Sequence, residues 1–282
     1  MERPRAMNDA APPARERRAG SDTPFLACLA ILGGTYVVLI AAMLIADASF
    51  TSPSHLLAAL RSPEICYAIQ LSLISSTITT ILSLWVAVPL GYLMSRHPFR
   101  GRALVDGIID IPIVLPPLVL GLSLLILFQT RAGRWIENFL PVTYAIPSVI
   151  LAQFSVACAF AVRTMRVTFD QLNPRTEQVA LTLGCNRSAA FWRVVLPEAR
   201  RGIVTAAALA WARALGEFGP ILIFSGATRM RTEVLSTTVF LELSVGRLEA
   251  AIAVSMLMIG AAIVVLVLLR VAGSDSPLGK VV

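Results

Sequence analysis

The stretch Glu177–Pro197, EQVALTLGCNRSAAFWRVVLP, decides how the chain is read. It is polar and carries arginines inside a sequence that is otherwise strongly apolar, so it does not belong in hydrocarbon. Val179, Leu183, Phe191, Val194 and Val195 nevertheless recur at helical spacing on either side of Gly184. The pattern predicts two short helices bent around a glycine, held at the membrane face. Asn173 is placed to cap the first helix, with Pro174 at its first position. Gly184 supplies the left-handed conformation that ends it. Asn186 or Ser188 caps the second, which Pro197 closes off. From the residues alone, the segment reads either as an amphipathic hairpin lying on lipid or as a rigid lever offered to a partner.

Around this island, 56% of the 282 residues are hydrophobic and 15% are charged, whereas a soluble domain carries about 25% charged residues. Mean hydropathy is +0.76. Six runs reach the roughly 20 apolar residues that a membrane-crossing helix needs: 25–46, 67–95, 108–128, 142–162, 202–224 and 250–270. The expected fold class is therefore all-α and integral to a membrane, with six transmembrane helices. Residues 1–24 read as a disordered cytoplasmic tail and 25–60 as the first span with its outer loop. Residues 61–270 form the core, including a cytoplasmic loop at 163–201, and 271–282 form a second cytoplasmic tail. The first run reads as a retained anchor although Ala46-Asp47-Ala48 mimics a cleavage site, because it outruns the about 7–15 residues of a secretory core.

Charge sets the orientation. With the N-terminus inside, 17 of the 24 Lys and Arg fall in cytoplasmic segments, six fall outside, and Arg213 lies within a span. Both termini and the Glu177–Pro197 segment are then cytoplasmic. The net charge of +7 is spent on this asymmetry, which argues against nucleic acid as a partner. Cys28, Cys66, Cys158 and Cys185 show no paired spacing, and His55 and His97 are the only histidines, so neither a disulfide framework nor a metal site is expected. There is no phosphate-binding loop and no nucleophile–base constellation. No catalytic residue and no cofactor are expected.

Three further features carry chemistry. Arg213 and Glu217, one turn apart in the fifth span, can pair on one helix face. Ionisable groups at such depth either line a watery route or lock a helix to its neighbour. Ser72, Ser76, Thr79 and Ser83 make one hydroxyl face on the second span, suited to helix packing or to lining a hydrophilic route. Asp110 reads as a capping or interfacial carboxylate. The outer segment 225–249, with Glu233, Glu242, Arg247 and Glu249, fits either a short helix that meets a delivery protein or a solvated connection. Prolines 89, 112, 116, 117, 147 and 220 interrupt four spans and predict kinks.

From Gln178 onward the island resembles the EAA loop of ABC importer permeases. Ala180, Gly184, Leu196 and Pro197 fit its core; Gln178 stands where glutamate is expected, Val179 where the first alanine is, and Glu177 is one residue early. Ala212–Gly219, ARALGEFG, resembles the corresponding segment of permeases for molybdate, tungstate and sulfate. The resemblance covers about residues 60–270. It implies a type I (MetI-like) importer permease in a bacterial or archaeal inner membrane, acting as a homodimer in contact with membrane lipid. It also implies an ATP-binding-cassette subunit on the cytoplasmic face, which hydrolyses the ATP, and a periplasmic or extracellular solute-binding protein. Glu177, Gln178, Ala180, Gly184 and Pro197 would then serve ATPase coupling. Ser72, Ser76, Thr79, Ser83, Arg213 and Glu217 would serve the pathway or gate. Molybdate or tungstate is the expected cargo, with sulfate, thiosulfate or another small solute as the alternative. A stand-alone secondary transporter is the remaining rival, although the internal repeat common in that class is not visible.

Overall fold

Proline and glycine decide where the helices of this chain break. The structure is a computed structural model that describes residues 23–50 and 52–274. The two expected tails lie outside the described residues, apart from the ends of the flanking helices. The chain divides into two units, one up to Ala46 and one from Asp47 onward. Helix α1, Thr23–Phe50, makes up the described part of the first and begins the second. It is apolar on every side and long enough to cross a membrane.

Among its described residues the second unit consists of helices and the turns that connect them. In order it holds α2 (Pro53–Arg61), α3 (Pro63–Arg96), α4 (Arg102–Val114), α5 (Pro117–Gln129), α6 (Arg131–Phe139) and α7 (Ile146–Gln171). There follow α8 (Pro174–Thr182), α9 (Arg187–Ala190), a π-helical turn (Phe191–Val195) and α10 (Leu196–Glu198). The chain ends with α11 (Arg200–Leu215), α12 (Gly219–Phe224), α13 (Leu235–Ser244) and α14 (Leu248–Ser274). Helices α3, α7 and α14 match expected spans, and α3 runs unbroken through Pro89.

Two expected spans are not single helices. The run 108–128 is divided between α4 and α5, which meet at 114°. Pro116 and Pro117 cause this: neither offers an N–H to continue the ladder, and each pushes the residue before it out of the helical region. The run 202–224 is divided between α11 and α12. Gly216 closes α11, its N–H bonding Ala212 O at 3.2 Å, and Pro220 opens the next piece from the first turn, where a missing N–H costs nothing. Among the described residues there are thus four continuous spans and one bent pair, with the fifth expected crossing in two pieces.

The framework is α3 packed on α7, with α11 against both. Its contact surface is made of small residues: Ala87, Ala157, Ala161, Ala206, Ala210 and Ala214 are all fully buried there. A Cβ on Gly91 would come within 2.9 Å of Met165 Cβ and 3.0 Å of the Arg166 backbone nitrogen. Side chains this small let backbones approach closely, which is how helices associate where lipid supplies no hydrophobic drive. The broken pieces α5 and α12 cross in the same way. A Cβ on Gly121 would lie 2.7 Å from Pro220 Cα, and one on Gly219 would lie 2.7 Å from Pro117 Cβ.

At the other end of α12, Glu233 is 0% exposed, and neither of its carboxylate oxygens has a hydrogen-bond partner among the described residues. Burial pushes this carboxyl above the usual carboxylate range, with Thr238 first and then Arg229 and the Met230 backbone pulling the other way. The folded state therefore binds a proton more tightly than the unfolded one. Stability falls as pH rises from the ordinary carboxylate pKa through the raised one. Glu233→Gln is expected to raise the thermal unfolding temperature at neutral pH and to flatten that decline; an unchanged pH profile of unfolding in detergent would refute the assignment. Gly121→Val is expected to destabilise the α5–α12 crossing by about 1–3 kcal/mol, the usual cost of overpacking, read as a lower unfolding temperature than Gly107→Val, whose added Cβ meets nothing.

Candidate functional site

The segment between α7 and α11 folds as a hairpin. Asn173 Oδ1 accepts the Arg175 N–H at 3.0 Å, and Pro174 occupies the first turn of α8. The helix ends at Gly184, whose φ of +90° lies in the left-handed region that other residues enter only with strain. The reversal is closed by Cys185 N–H to Ala180 O at 3.1 Å. Asn186, rather than Ser188, caps the second arm, its Oδ1 accepting from Ala189 N–H at 2.7 Å.

Pro197 does not close that arm as expected. It lies within α10, and the chain turns through Ala199 directly into α11. The arm accommodates the missing proline N–H by widening into the π turn, where Leu196 N–H reaches back five residues to Phe191 O. The second arm is therefore continuous with a membrane helix, with one soft turn between them.

The hairpin carries large apolar side chains at its surface. Leu183 is 80% exposed, Trp192 63% and Val179 55%. Gln178 is exposed beside them, whereas Ala180 is buried. Large apolar side chains grouped on a surface mark an interaction site. Glu177 behaves differently: its carboxylate turns back toward α3, where it accepts the Tyr92 hydroxyl at 2.5 Å and stands 3.7 Å from Arg96 Nε.

Arg213 and Glu217 form the pair expected of them, Nη1 to Oε2 at 2.6 Å. Glu217 is 1% exposed, and its backbone carbonyl accepts the Ser236 hydroxyl at 2.7 Å, which ties the break between α11 and α12 to α13. The Arg213 guanidinium lies 5.8 Å over the Phe160 ring. Phe160 also lines a cavity of about 670 Å³ between α7 and α11, with Arg163, Thr164, Thr168, Arg201 and Thr205. Arg163 is held by Asp110 on α4, at 2.9 Å from Nε and 2.5 Å from Nη2, so Asp110 is a cross-helix partner and not a cap. Arg166 reaches Asp106 on the same face of α4.

The hydroxyl face of α3 lies apart from this cavity. Ser72, Ser76, Thr79 and Ser83 are all buried. Ser72 Oγ accepts Leu235 N–H at 2.8 Å, and Thr79 donates to Gln153 Oε1 at 3.2 Å. Ser72 and Thr79 thus tie α3 to α13 and α7, while the Ser76 and Ser83 hydroxyls are buried without a hydrogen-bond partner among the described residues. Sequence reasoning missed the α4–α7 ion pairs. Asp106 and Asp110 are four apart and Arg163 and Arg166 three apart, a spacing match between successive spans that marks facing helices.

Residues 87–273 match the family described as binding-protein-dependent transport system inner membrane component. The sulfate transport system permease protein CysT of Escherichia coli is 32% identical over 208 residues, covering 73% of this chain and 75% of that protein. The molybdenum transport system permease protein ModB of Mycobacterium bovis is 31% identical over 264 residues, covering 92% and 97%. The molybdate/tungstate transport system permease protein WtpB of Pyrococcus abyssi is 36% identical over 164 residues, covering 58% and 62%. Among solved structures, a bacterial ABC transporter that imports the acidic polysaccharide alginate is similar with a TM-score of 0.70 at 18% identity, over 91% of this chain and 96% of that one. The family match over residues 87–273, together with relatives at 31–32% identity over 73% to 92% of the chain, places it in one family: it belongs to the binding-protein-dependent transport system inner membrane components.

Proposed function

We propose that the chain is the membrane subunit of an ATP-driven importer for a tetrahedral oxyanion, molybdate or tungstate. Two copies form the route, an ATP-binding-cassette subunit docks beneath each, and a solute-binding protein delivers cargo from outside. Both termini and the hairpin face the cytoplasm. The observation that carries this reading is the hairpin itself: a glycine-bent helix pair with Val179, Leu183 and Trp192 bare at its tip, joined without a loop to α11. Force applied to that tip reaches the membrane helices through backbone. Nucleotide binding would favour one of two arrangements of the bundle and hydrolysis the other.

The cargo is supported by the molybdenum and molybdate/tungstate permeases among the relatives, and by the chemistry beside the hairpin. Arg163 and Arg201 line the cavity between α7 and α11 with threonine hydroxyls and Glu198, Arg213 adjoins it through Phe160, and the three guanidinium groups suit an anion in passage. Arg213 and Arg163 are already paired with carboxylates, so an anion meets a weakened field and is not trapped. Sulfate is the second reading, favoured by the likeness to the E. coli sulfate permease. Uptake of molybdate into cells or proteoliposomes, in competition with tungstate and with sulfate, decides between them. Suppression by tungstate but not by equal sulfate supports the first reading, and the reverse supports the second.

Gly184→Pro is expected to abolish transport while leaving the protein inserted, because proline cannot adopt the positive φ of this turn. Full stimulation of ATP hydrolysis by loaded binding protein in that variant would remove the hairpin from the mechanism. Arg213→Ala leaves a buried carboxylate unpaired, a change that costs about 3–5 kcal/mol, and is expected to lower yield as well as uptake. The double variant Arg213→Met with Glu217→Gln separates the two effects. Restored assembly with uptake still lost supports a pathway role, and restored uptake makes the pair purely structural. In a variant with Cys28, Cys66 and Cys158 replaced by serine, Cys185 is expected to react with an impermeant maleimide in inverted vesicles and not in intact spheroplasts.

A further inference from the structure

Glu177 and Gln178 are neighbours on α8 with opposite surroundings. Gln178 is exposed at the position aligned with the family's coupling glutamate. Glu177 is mostly buried, and its carboxylate meets two side chains of α3 that in turn reach α7 and the second arm. The Tyr92 hydroxyl of α3 donates to Oε1 at 2.5 Å, and Arg96 of α3 faces Oε2 at 3.7 Å. Arg96 also donates from Nη2 to Leu172 O at 3.0 Å, the carbonyl that follows the end of α7. The Tyr92 ring stands edge-on to Phe169 of α7 at 5.6 Å and to Phe191 of the π turn at 4.8 Å. One phenol thus touches α7 and the second arm of the hairpin through its ring, and the first arm through its hydroxyl.

Among the described residues, the other side-chain hydrogen bonds of α8 stay within the hairpin. Thr176 bonds Asn173 O and Glu198, and Thr182 bonds Val179 O. Glu177 is the polar tie from the first arm to a membrane span. Hydrogen bonds to an ionised acceptor are about twice as strong as neutral ones, and this one is shielded from water by the aromatic cluster.

We propose that Glu177 is a positioning residue for coupling: clasped by Tyr92 and Arg96, it makes the hairpin and the cytoplasmic end of α3 move as one body. The second arm already drives α11 through the backbone. The clasp adds a second line, from the first arm to α3, so that both sides of the α3–α7–α11 framework are displaced together. This rests on the coupling reading given above.

The test uses the full complex in proteoliposomes, with its ATP-binding-cassette subunit, its binding protein and molybdate. Tyr92→Phe keeps the ring and its packing and removes only the hydroxyl; Glu177→Gln keeps an acceptor and removes the charge. Both variants are expected to retain the ATPase subunit on purification and to hydrolyse ATP, while ATP consumed per molybdate imported rises by roughly fivefold or more, the lower end for coupling between sites. The double variant is expected to be no worse than the more impaired single one, since both weaken one and the same clasp. Wild-type stoichiometry in both single variants would reduce the clasp to a structural staple and overturn the proposal, as would additive losses in the double variant. Loss of the ATPase subunit from the variants, but not from wild type, would make the contact part of the docking surface and equally overturn it. Failure of wild type to retain the subunit would overturn the coupling reading itself.

Discussion

Close contact between α3, α7 and α11 is the constraint on which the rest depends. Lipid is as apolar as any core, so burying alanine gains little by removing area from water; what holds these helices is dispersion at short range and internal satisfaction of polar groups. That is why the contact is built from alanine, serine, threonine and a glycine set against Met165. It is also why Ser72 and Thr79 spend their hydroxyls on Leu235 N–H and the Gln153 side chain. A larger residue at any of these positions would separate helices whose opposite ends carry the hairpin and the α11–α12 break.

Given that framework, the irregular pieces fall where backbone can be satisfied. The α4–α5 bend lies at the surface, with Val114, Pro116 and Pro117 exposed, whereas the α11–α12 break is buried at Glu217, Gly219 and Pro220, and the two broken pieces α5 and α12 lie across one another. Glycine faces proline on each side of that crossing. The carboxylates follow the same logic. Glu217 has Arg213 at 2.6 Å, and Glu242 has Arg229 at 2.7 Å. Asp110 has Arg163, and Asp106 has Arg166. Glu233 departs from this rule, and it sits outside the spans, where a proton can reach it when the fold opens.

The sequence already contained the parts of this structure that depend on local chemistry. Gly184, Asn173 and Pro174 specify a helix, its start and its end within a dozen residues, and the fold uses each in its expected role. The Arg213–Glu217 pair is an i, i+4 relation on one helix and needs no knowledge of neighbours. Pro197 misled because a proline reads as a stop, whereas a π turn lets the ladder pass it. The spans at 108–128 and 202–224 misled because hydropathy measures apolar length and is blind to direction. Tyr92 was invisible for a different reason: its partner is 85 residues away, and nothing local distinguishes a tyrosine that packs from one that bonds a carboxylate.

Glu177 shows why the one-residue offset from the family pattern has physical content. Successive positions on a helix point about 100° apart, so an acid at 177 and an acid at 178 cannot serve the same neighbour. With glutamine at 178, the outward position carries an uncharged amide, and the large exposed side chains of the hairpin are Val179, Leu183 and Trp192. The charge has been placed one step inward, where Tyr92 and Arg96 meet it. A carboxylate facing solvent would be screened and its bond to a partner weak; beside Phe169 and Phe191, with Tyr92 and Arg96 upon it, the same group makes a short bond that ties the first arm of the hairpin to α3.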